Sequence, residues 1–322
     1  MKNQLVCSWF IVLLLFSIPS FAAESPSLDI YGRIHLRLIT EEDQRTSLNN
    51  AGHRLGMKGE GKLNNGLGFF YKLETEYGND SAYGKKDGLG GNTNTTSANG
   101  STDLADIKVR HANVGISGSM LSVTAGRQGN PITGTYTADV FQTNSGVYEQ
   151  SPYRIGHALV VKSAAFSGLD AYGGALLEGG HSDSQNEQDL TGGFVGGSFT
   201  WGTLTLKGGY MSYDSRFKQP DDATTLTVNE LTNTKTQFDD WSVGLSYSIL
   251  DVYLGANIES SRVEVGGTKT DTDVVDLAVT YTQGSTIYGL GYAMAEVGSL
   301  TKTRIVLGAY HTLGGGNDCY IE

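Results

Sequence analysis

The sequence is poor in the residues that stabilise small secreted domains and in those that bind nucleic acids. It has 2 cysteines among 322 residues, and two cysteines cannot form a disulfide framework. Charged residues make up 18%, below the roughly 25% of an ordinary soluble domain. Acidic residues outnumber basic ones by 34 to 23, giving a net charge of −11. Because nucleic-acid binding requires an excess of basic residues, the charge argues against that class.

Long hydrophobic runs are also absent beyond the N-terminal region. After residue 23, no stretch approaches the ~20 consecutive apolar residues that a transmembrane helix needs. Glycine, in contrast, is abundant, with 44 residues, which is about twice its ordinary share. A hydrophobic content of 39% is low for a soluble core of this size. This content suits a β-sheet wall that has one apolar face and one face in contact with water.

The first 22 residues have the order of a secretory signal peptide. Lys2 precedes an apolar run at residues 9–16, and small residues follow it. We therefore expect cleavage near residue 22 and export of residues 23–322. A membrane anchor is the alternative, but the run is too short to cross ~30 Å of hydrocarbon. Because Lys2 leaves with the signal peptide, the exported part has a net charge of −12, and its one cysteine is Cys319.

Segments with period-two alternation follow the signal peptide. In residues 28–40, apolar side chains occupy the even positions, and charged or titratable side chains occupy most odd ones. Residues 53–63 and 67–77 repeat the pattern, which predicts β-strands with one apolar and one polar face. Fourteen strands are predicted, at residues 28–40, 53–63, 67–77, 105–117, 121–127, 153–166, 169–180, 192–201, 203–213, 238–249, 251–263, 272–282, 286–296 and 302–313.

Strand length and loop length favour a membrane barrel over a soluble sandwich. Strands of soluble proteins average about five or six residues, whereas tilted strands of ~9–11 residues cross a bilayer. Connections at residues 64–66 and 283–285 are short, whereas residues 78–104 and 214–237 are long and polar. Short turns on one rim and long loops on the other are typical of outer-membrane barrels. Since backbone groups in lipid must all be paired, such a sheet must close.

Four motifs resemble, in order, those of the Gram-negative general diffusion porins. They are LDIYGR at 28–33, RLGMKGE at 54–60, VRHANVG at 109–115 and AGRQ at 125–128. The resemblance implies an all-β, transmembrane antiparallel β-barrel of nominally 16 strands, whose third loop folds into the lumen. It also implies a homotrimer in the outer membrane, in contact with lipid and lipopolysaccharide. Small hydrophilic solutes and ions would pass through it by passive diffusion, without a cofactor or metal.

The same resemblance assigns residues to the pore constriction. Arg33, Arg54 and Arg110 match the family's basic wall positions, and alternation independently places the first two on the polar face. The inward loop is residues 128–152, with Asp139 and Glu149 as its acids. The Pro-Glu-Phe-Gly run common in the family's loop is missing here. Weaker lumen candidates are Arg37, Lys72, Arg127 and Arg154.

The fourth strand departs from simple alternation. Its upper half places Ala112 and Val114 on the face of Arg110, while His111 and Asn113 point the other way. Polar side chains are costly in lipid, so we interpret this patch as a subunit interface. The alternative is a β-bulge that restores the polar side chains to the lumen.

The C-terminal residues predict a turn followed by the start of another strand. About fourteen complete strands and this stub leave the barrel one and a half strands short of sixteen. We expect the given chain to be truncated; a strand count that is off by two is the alternative.

Two other classes of function remain alternatives. A surface adhesin or receptor barrel would share the alternation but would not conduct ions. An outer-membrane enzyme would need a catalytic constellation, and the sequence has no Gly-x-Ser-x-Gly elbow. Its 6 histidines are scattered without metal-ligand spacing. We therefore expect a channel and not an enzyme. A substrate-specific porin is a closer variant, but no row of lumenal aromatic residues is evident.

Overall fold

A computed structural model describes residues 26–39, 47–79, 108–141, 148, 150–177, 188–217, 236–315 and 317–322. The predicted signal peptide and Glu149 lie outside these residues. Across these ranges, none of the helices is long and apolar enough to cross a membrane. The one helix described is a 3-10 turn at Pro131–Thr135.

Antiparallel strands make up nearly all of the described chain. They are β1 (Asp29–Arg33), β2 (Leu36–Ile39), β3 (Ser47–Lys62), β4 (Gly68–Asn79), β5 (Lys108–Ser117), β6 (Leu121–Gly129), β7 (Arg154–Ser163), β8 (Leu169–Leu176), β9 (Gln188–Trp201), β10 (Leu204–Phe217), β11 (Thr236–Ile249), β12 (Val252–Val265), β13 (Thr268–Gln283), β14 (Thr286–Val297), β15 (Leu300–Gly314) and β16 (Asn317–Ile321). The predicted strands from residue 53 onward correspond to β3–β15 in order, and the predicted final stub corresponds to β16.

The strands belong to two compact units. The first contains the chain up to Gly118 together with residues 126–128, and the second contains residues 119–125 and the chain from Gly129 onward. In the first unit, β1, β3, β4 and β5 pair in that order, and β2 also pairs with β3. The single strand predicted at residues 28–40 is therefore two segments, separated at Ile34 and His35.

A β-bulge interrupts the pairing of β4 with β5. Glu74 pairs with His111 and Thr75 pairs with Val109, which leaves Arg110 as the extra residue. Because paired residues share a face of the sheet, His111 lies on the polar face of Glu74, and Asn113 lies on that of Lys72. The prediction that His111 and Asn113 point outward is therefore wrong, and the bulge is the physical reason.

In the second unit, β7 to β16 form a continuous antiparallel meander. Many of its hairpins have two-residue turns in which at least one residue adopts a positive φ. This conformation matches the twist of the flanking strands. Glycine supplies it at Gly202 and Gly284, whereas the β11–β12 turn uses Leu250 at φ 51°. Strands β12 and β13 are longer than predicted because they continue to a tight turn at residues 266–267.

The strands of the second unit have an apolar exposed face and a polar covered face. On β11, Trp241, Val243 and Leu245 are exposed, while Asp240 and Ser242 are buried. This is the reverse of a soluble sheet, in which the covered face is apolar. It fits a wall with lipid on one side.

Candidate pore constriction

Arg33 and Arg54 form the centre of a basic row in the first unit. They are cross-strand partners on β1 and β3, and Arg54 is the partner of Glu76 on β4. Directly opposed like charges destabilise a sheet, so the row requires carboxylates. Arg54 Nε lies 3.6 Å from Glu76 Oε2, and Arg33 Nη2 lies 2.8 Å from His35 Nδ1.

Arg110 joins this row from the bulge of β5. Its Nε donates to Glu74 Oε1 at 2.7 Å, and its Nη1 donates to Glu76. Bulges commonly re-aim a side chain, and here the bulge turns Arg110 toward two carboxylates of β4. The structure therefore brings Arg33, Arg54 and Arg110 onto one face, as the sequence predicted for the first two.

Glu74 lies at the centre of this cluster of charged side chains. Alternation in the sequence predicted the face of the strand on which Glu74 lies, but not its central position. It is 5% exposed and accepts a hydrogen bond from Tyr31 Oη at 2.8 Å as well as from Arg110. Lys72 Nζ lies 3.4 Å from Glu74 Oε2, so this weaker candidate belongs to the same cluster. Period-two alternation places Lys72, Glu74 and Glu76 together but carries no information about their partners.

The other weaker candidates lie on β6, β7 and β2. Arg127 is exposed, and its Nε donates to the carbonyl of Val109 at 2.7 Å. Arg154 begins β7 in the second unit and is half-buried. Arg37 pairs with Asn49 between β2 and β3, and its side chain lies outside the described residues.

The predicted inward loop connects β6 to β7 and is hereafter the β6–β7 loop (residues 130–153, of which 130–141, 148 and 150–153 are described). Asn130 closes its base: Oδ1 accepts from Ile132 N at 3.1 Å, and Nδ2 donates to Pro152 O at 2.9 Å. Ile132 is fully buried in an apolar cluster with Ile155, Val160 and other residues of β7–β10. Strand β6 ends two residues after its predicted end, and β7 begins one residue after its predicted start.

The middle of the β6–β7 loop lies on the polar face of β11 and β12. Thr135 Oγ1 and Ser242 Oγ are 2.6 Å apart. Thr137 Oγ1 lies 2.9 Å from Leu245 O and 2.7 Å from Ala256 O, so its one hydroxyl proton is within hydrogen-bond distance of both carbonyls. The loop thus covers the face that lies opposite the exposed apolar side chains, as expected of a loop folded into a barrel.

Asp139 is the described acid of the loop. Its Oδ2 accepts from Tyr153 Oη at 2.7 Å, and its Oδ1 is buried without a hydrogen-bond partner among the described residues. Burial raises the pKa of Asp139; the nearby charge of Glu322 acts in the same direction, and the Tyr153 hydrogen bond opposes both. Glu149, the second predicted acid, lies outside the described residues.

Three buried acids beneath the loop were missed by sequence reasoning. Asp240, Glu259 and Asp276 lie on β11, β12 and β13, and all three contact the loop. Alternation places them on the polar face, but nothing in the sequence distinguishes a buried acid from a solvated one. Their partners are more than 80 residues away along the chain.

Comparisons with known proteins agree with this architecture. The family model described as Gram-negative porin matches residues 10–322. The fold is similar to OmpT of Vibrio cholerae in its trimer form, with 18% identity, coverage of 92% of this chain and 87% of that one, and a TM-score of 0.64. It is also similar to an anion-selective porin from Comamonas acidovorans, with 18% identity, coverage of 92% and 87%, and a TM-score of 0.62.

A third solved structure is OmpF of Salmonella typhi in complex with daunomycin, with 17% identity, coverage of 91% and 88%, and a TM-score of 0.66. The comparison with curated proteins gives no match. At these identities the structural similarities establish the fold, and the family match extends over nearly the whole chain. The expected fold class and outer-membrane location are confirmed. The chain belongs to the Gram-negative porin family, whose members form outer-membrane β-barrel channels for passive diffusion.

Proposed function

We propose that this porin conducts ions and small hydrophilic solutes through a waist narrowed by the β6–β7 loop. The observation that carries the proposal is the position of the loop on the polar face of β11 and β12, where the Thr137 hydroxyl group lies within hydrogen-bond distance of two strand carbonyls. A loop fixed there occupies space that would otherwise belong to the aqueous lumen. Solute passage is then limited by size and polarity at this level.

The charged residues of the waist are the second part of the proposal. Arg33, Arg54 and Arg110 form its basic wall, and Asp139 and Glu149 form its acidic loop. Opposite charges across a wet constriction create a transverse field, which orders water and dipolar solutes and disfavours apolar ones. Support comes from the arginine cluster on the polar face of β1, β3 and β5. Arg37, Lys72, Arg127 and Arg154 are secondary members of the lumen wall.

Assembly and export complete the proposal. A homotrimer is supported by the fold similarity to OmpT of Vibrio cholerae in its trimer form. His111 and Asn113 do not support a subunit interface, because they lie on the polar face of the sheet. Residues 1–22 act as a cleaved signal peptide, and lipid and lipopolysaccharide surround the trimer. The channel carries out no catalysis and needs no cofactor.

Conductance in a planar bilayer tests the proposal against the adhesin and enzyme alternatives. Protein purified from outer membranes should give stepwise, ohmic current increments whose size scales with the conductivity of small electrolytes. Uptake of neutral sugars into proteoliposomes should fall steeply with sugar size. A folded, membrane-inserted protein that gives no current would favour the non-conducting adhesin or receptor.

A further inference from the structure

We infer that Tyr310 and Tyr320, hereafter the tyrosine platform, form a site on the lumenal wall that binds organic cations such as quaternary ammonium ions and protonated amines. The inference rests on the proposed function, since a solute passes this wall only in a conducting pore. It names one class of solute that the channel should retain more strongly than inorganic cations. The site combines two aromatic rings with the carboxyl groups beside them.

The two rings of the tyrosine platform lie side by side on adjacent strands. Tyr310 and Tyr320 are cross-strand partners in the pairing of β15 with β16, and their ring centroids are 5.8 Å apart at an interplanar angle of 31°. Both side chains are half-buried, so each ring keeps part of its surface accessible. Because the residues come from different strands, no spacing in the sequence marks them as a pair of lumenal aromatic residues.

A contact with the β6–β7 loop shows that these rings lie on the lumenal face. The ring centroid of Phe141, a loop residue, is 6.5 Å from that of Tyr310. Phe141 is buried in a depression formed by three glycines, Gly289, Gly291 and Gly308. It therefore supports the tyrosine platform from the side of the waist and offers no surface to a solute itself.

Carboxyl groups give the surroundings of the tyrosine platform a negative charge. Glu322 Oε1 accepts from Tyr310 Oη at 2.6 Å, and Asp139 of the loop is close enough for the charge of Glu322 to act on it. Asp318 is exposed and shares a strand face with Tyr320, two positions further along β16. Like charges held close together disfavour their own ionised forms, and a bound cation would relieve this repulsion.

Basic residues lie farther away on this part of the wall. Among the described lumenal residues of β12–β16, the basic ones are Lys302 and Arg304. Arg304 is six positions from Tyr310, about 20 Å along the strand. Its Cζ lies 4.7 Å from the centroid of the Tyr148 ring, so a cation already packs on a tyrosine in this lumen. The charged neighbours of the tyrosine platform on β15 and β16 are therefore acids.

Aromatic rings beside carboxylates favour cations that carry apolar groups. The negative face of an aromatic ring attracts a cation, and quaternary ammonium ions are typical ligands of such rings. An inorganic cation has no methyl groups to pack on the rings and gains mainly from the carboxylates. A neutral solute of the same shape gains only from the ring surface. The two contributions together therefore select an organic cation.

Choline is the probe for this site, and dimethylbutanol, in which carbon replaces the nitrogen, is its uncharged analogue. Each is added to the full chain in planar bilayers at a fixed concentration of potassium chloride, and the concentration that halves the current is measured. Choline should halve the current at a lower concentration than the alcohol. Saturation-transfer NMR of the choline methyl groups, with the protein in detergent micelles, measures binding without any current.

Two paired variants separate the rings from the rest of the wall. Tyr310→Leu with Tyr320→Leu removes both rings, whereas Tyr310→Phe with Tyr320→Phe keeps them. One exposed cation–π contact changes an affinity by about two- to fivefold, so the leucine pair should raise the half-blocking choline concentration by about five- to thirtyfold. The phenylalanine pair should bind choline nearly as the unaltered protein does. Tyr288→Leu is the matched control, because it removes an exposed ring that pairs with Ala309 on the outer face.

The carboxyl group is tested by Glu322→Gln. This variant keeps an acceptor for Tyr310 and removes the charge, so it should weaken the action of choline in dilute salt and leave that of dimethylbutanol unchanged. The difference should shrink as added salt screens the carboxylate. An equal loss for choline and for the alcohol would show that Glu322 acts by shape and not by charge, which contradicts the choice of a cation.

The outcomes separate this inference from the proposed function. If the unaltered protein conducts but the leucine and phenylalanine pairs respond equally to choline, the tyrosine platform is not a binding site. If dimethylbutanol acts as strongly as choline, the class of solute is wrong. If the unaltered protein gives no current but its choline signal depends on the rings, the site stands and the proposed function fails. Heat-modified gel mobility confirms folding, and Tyr320→Leu alone replaces the leucine pair if that pair does not fold.

Discussion

The two units use buried carboxyl groups in opposite ways. In the first unit, Glu74 and Glu76 pair with the cations Arg54 and Arg110. In the second unit, Glu259 accepts from a phenol and a backbone amide of the β6–β7 loop. One cluster therefore consists of ion pairs, and the other consists of hydrogen bonds to neutral donors.

This difference predicts different responses to salt. Ion pairs at the edge of an aqueous lumen act over a Debye length of ~8–10 Å at moderate ionic strength, and added salt screens them. Hydrogen bonds between neutral donors and a buried acceptor are short-ranged and depend much less on ionic strength. The first cluster should therefore control the field in the pore, and the second should control the shape of the pore.

Replacing Arg54 and Arg110 together by Ser should have the largest effect on selectivity. The double variant removes two cations and their long side chains, so the waist should widen and the reversal potential should shift toward cation selectivity. The net negative charge of the whole chain should add to this cation selectivity, because it raises the local concentration of cations. Bilayer recordings under a salt gradient measure both quantities.

The salt dependence of that variant tests the comparison itself. Its shift in reversal potential should shrink as the salt concentration rises, because added salt screens charges near the waist. An unchanged reversal potential and conductance in dilute salt would show that these arginines do not line the waist. The porin assignment would stand in that case.

Replacing Glu74 by Gln should have a smaller effect of the opposite sign. The variant removes one negative charge and leaves Arg110 and Lys72 with a neutral neighbour, so selectivity should shift toward anions. Hydrogen bonds to charged groups contribute about 1.5–3 kcal/mol, so the temperature of the heat-induced mobility shift should also fall. Glu76→Gln is the matched comparison, because Glu76 is the more exposed member of the pair. A shift toward cations would contradict the ion-pair assignment.

The sequence predicted the strands and the faces of their residues because both follow from period-two alternation. Arg33 and Arg54 were placed correctly for this reason, and so were Lys72 and Glu74. His111 and Asn113 were not, because one extra residue in β5, Arg110, reverses the phase beyond it. A single sequence contains no mark of such a bulge.

The contacts of the loop could not be predicted for a different reason. Tyr136 and Glu259 are 123 positions apart, and each is an ordinary member of its own segment. Their contact depends on the register of β11 against β12 and on the path of the loop across both. Gly244 and Gly255 carried a weak signal, since an isolated glycine in a strand often marks a close approach of another backbone.

Replacing Asp139 by Asn should have a modest, pH-dependent effect. Because the pKa of Asp139 is raised, its charge is lost at a higher pH than that of an ordinary aspartate, near 3.9. The variant should shift selectivity toward anions at neutral pH, and this difference should disappear as the pH falls, before ordinary carboxylates titrate. A raised pKa also means that folding disfavours the ionised form, so the variant should not be less stable at neutral pH.

Reversal potentials at several pH values measure this effect, with Glu149→Gln as a second loop variant. Replacing both acids should shift selectivity toward anions more than either change alone. A difference between Asp139→Asn and the unaltered protein that persists unchanged at acidic pH would contradict the assigned protonation.

Replacing Asp271 by Asn should have the smallest effect and completes the comparison. Arg262 Nε and Asp271 Oδ1 are 2.7 Å apart, as close as Arg110 and Glu74, but both side chains are about half exposed. Exposed ion pairs contribute little, because solvent screens them and ordering two long side chains costs entropy. The variant should keep the reversal potential, the steady open level and the heat-induced mobility shift of the unaltered protein. A loss as large as that of Glu74→Gln would show that ion-pair distance matters more than burial in this wall, which would overturn the distinction between the buried clusters and the exposed surface.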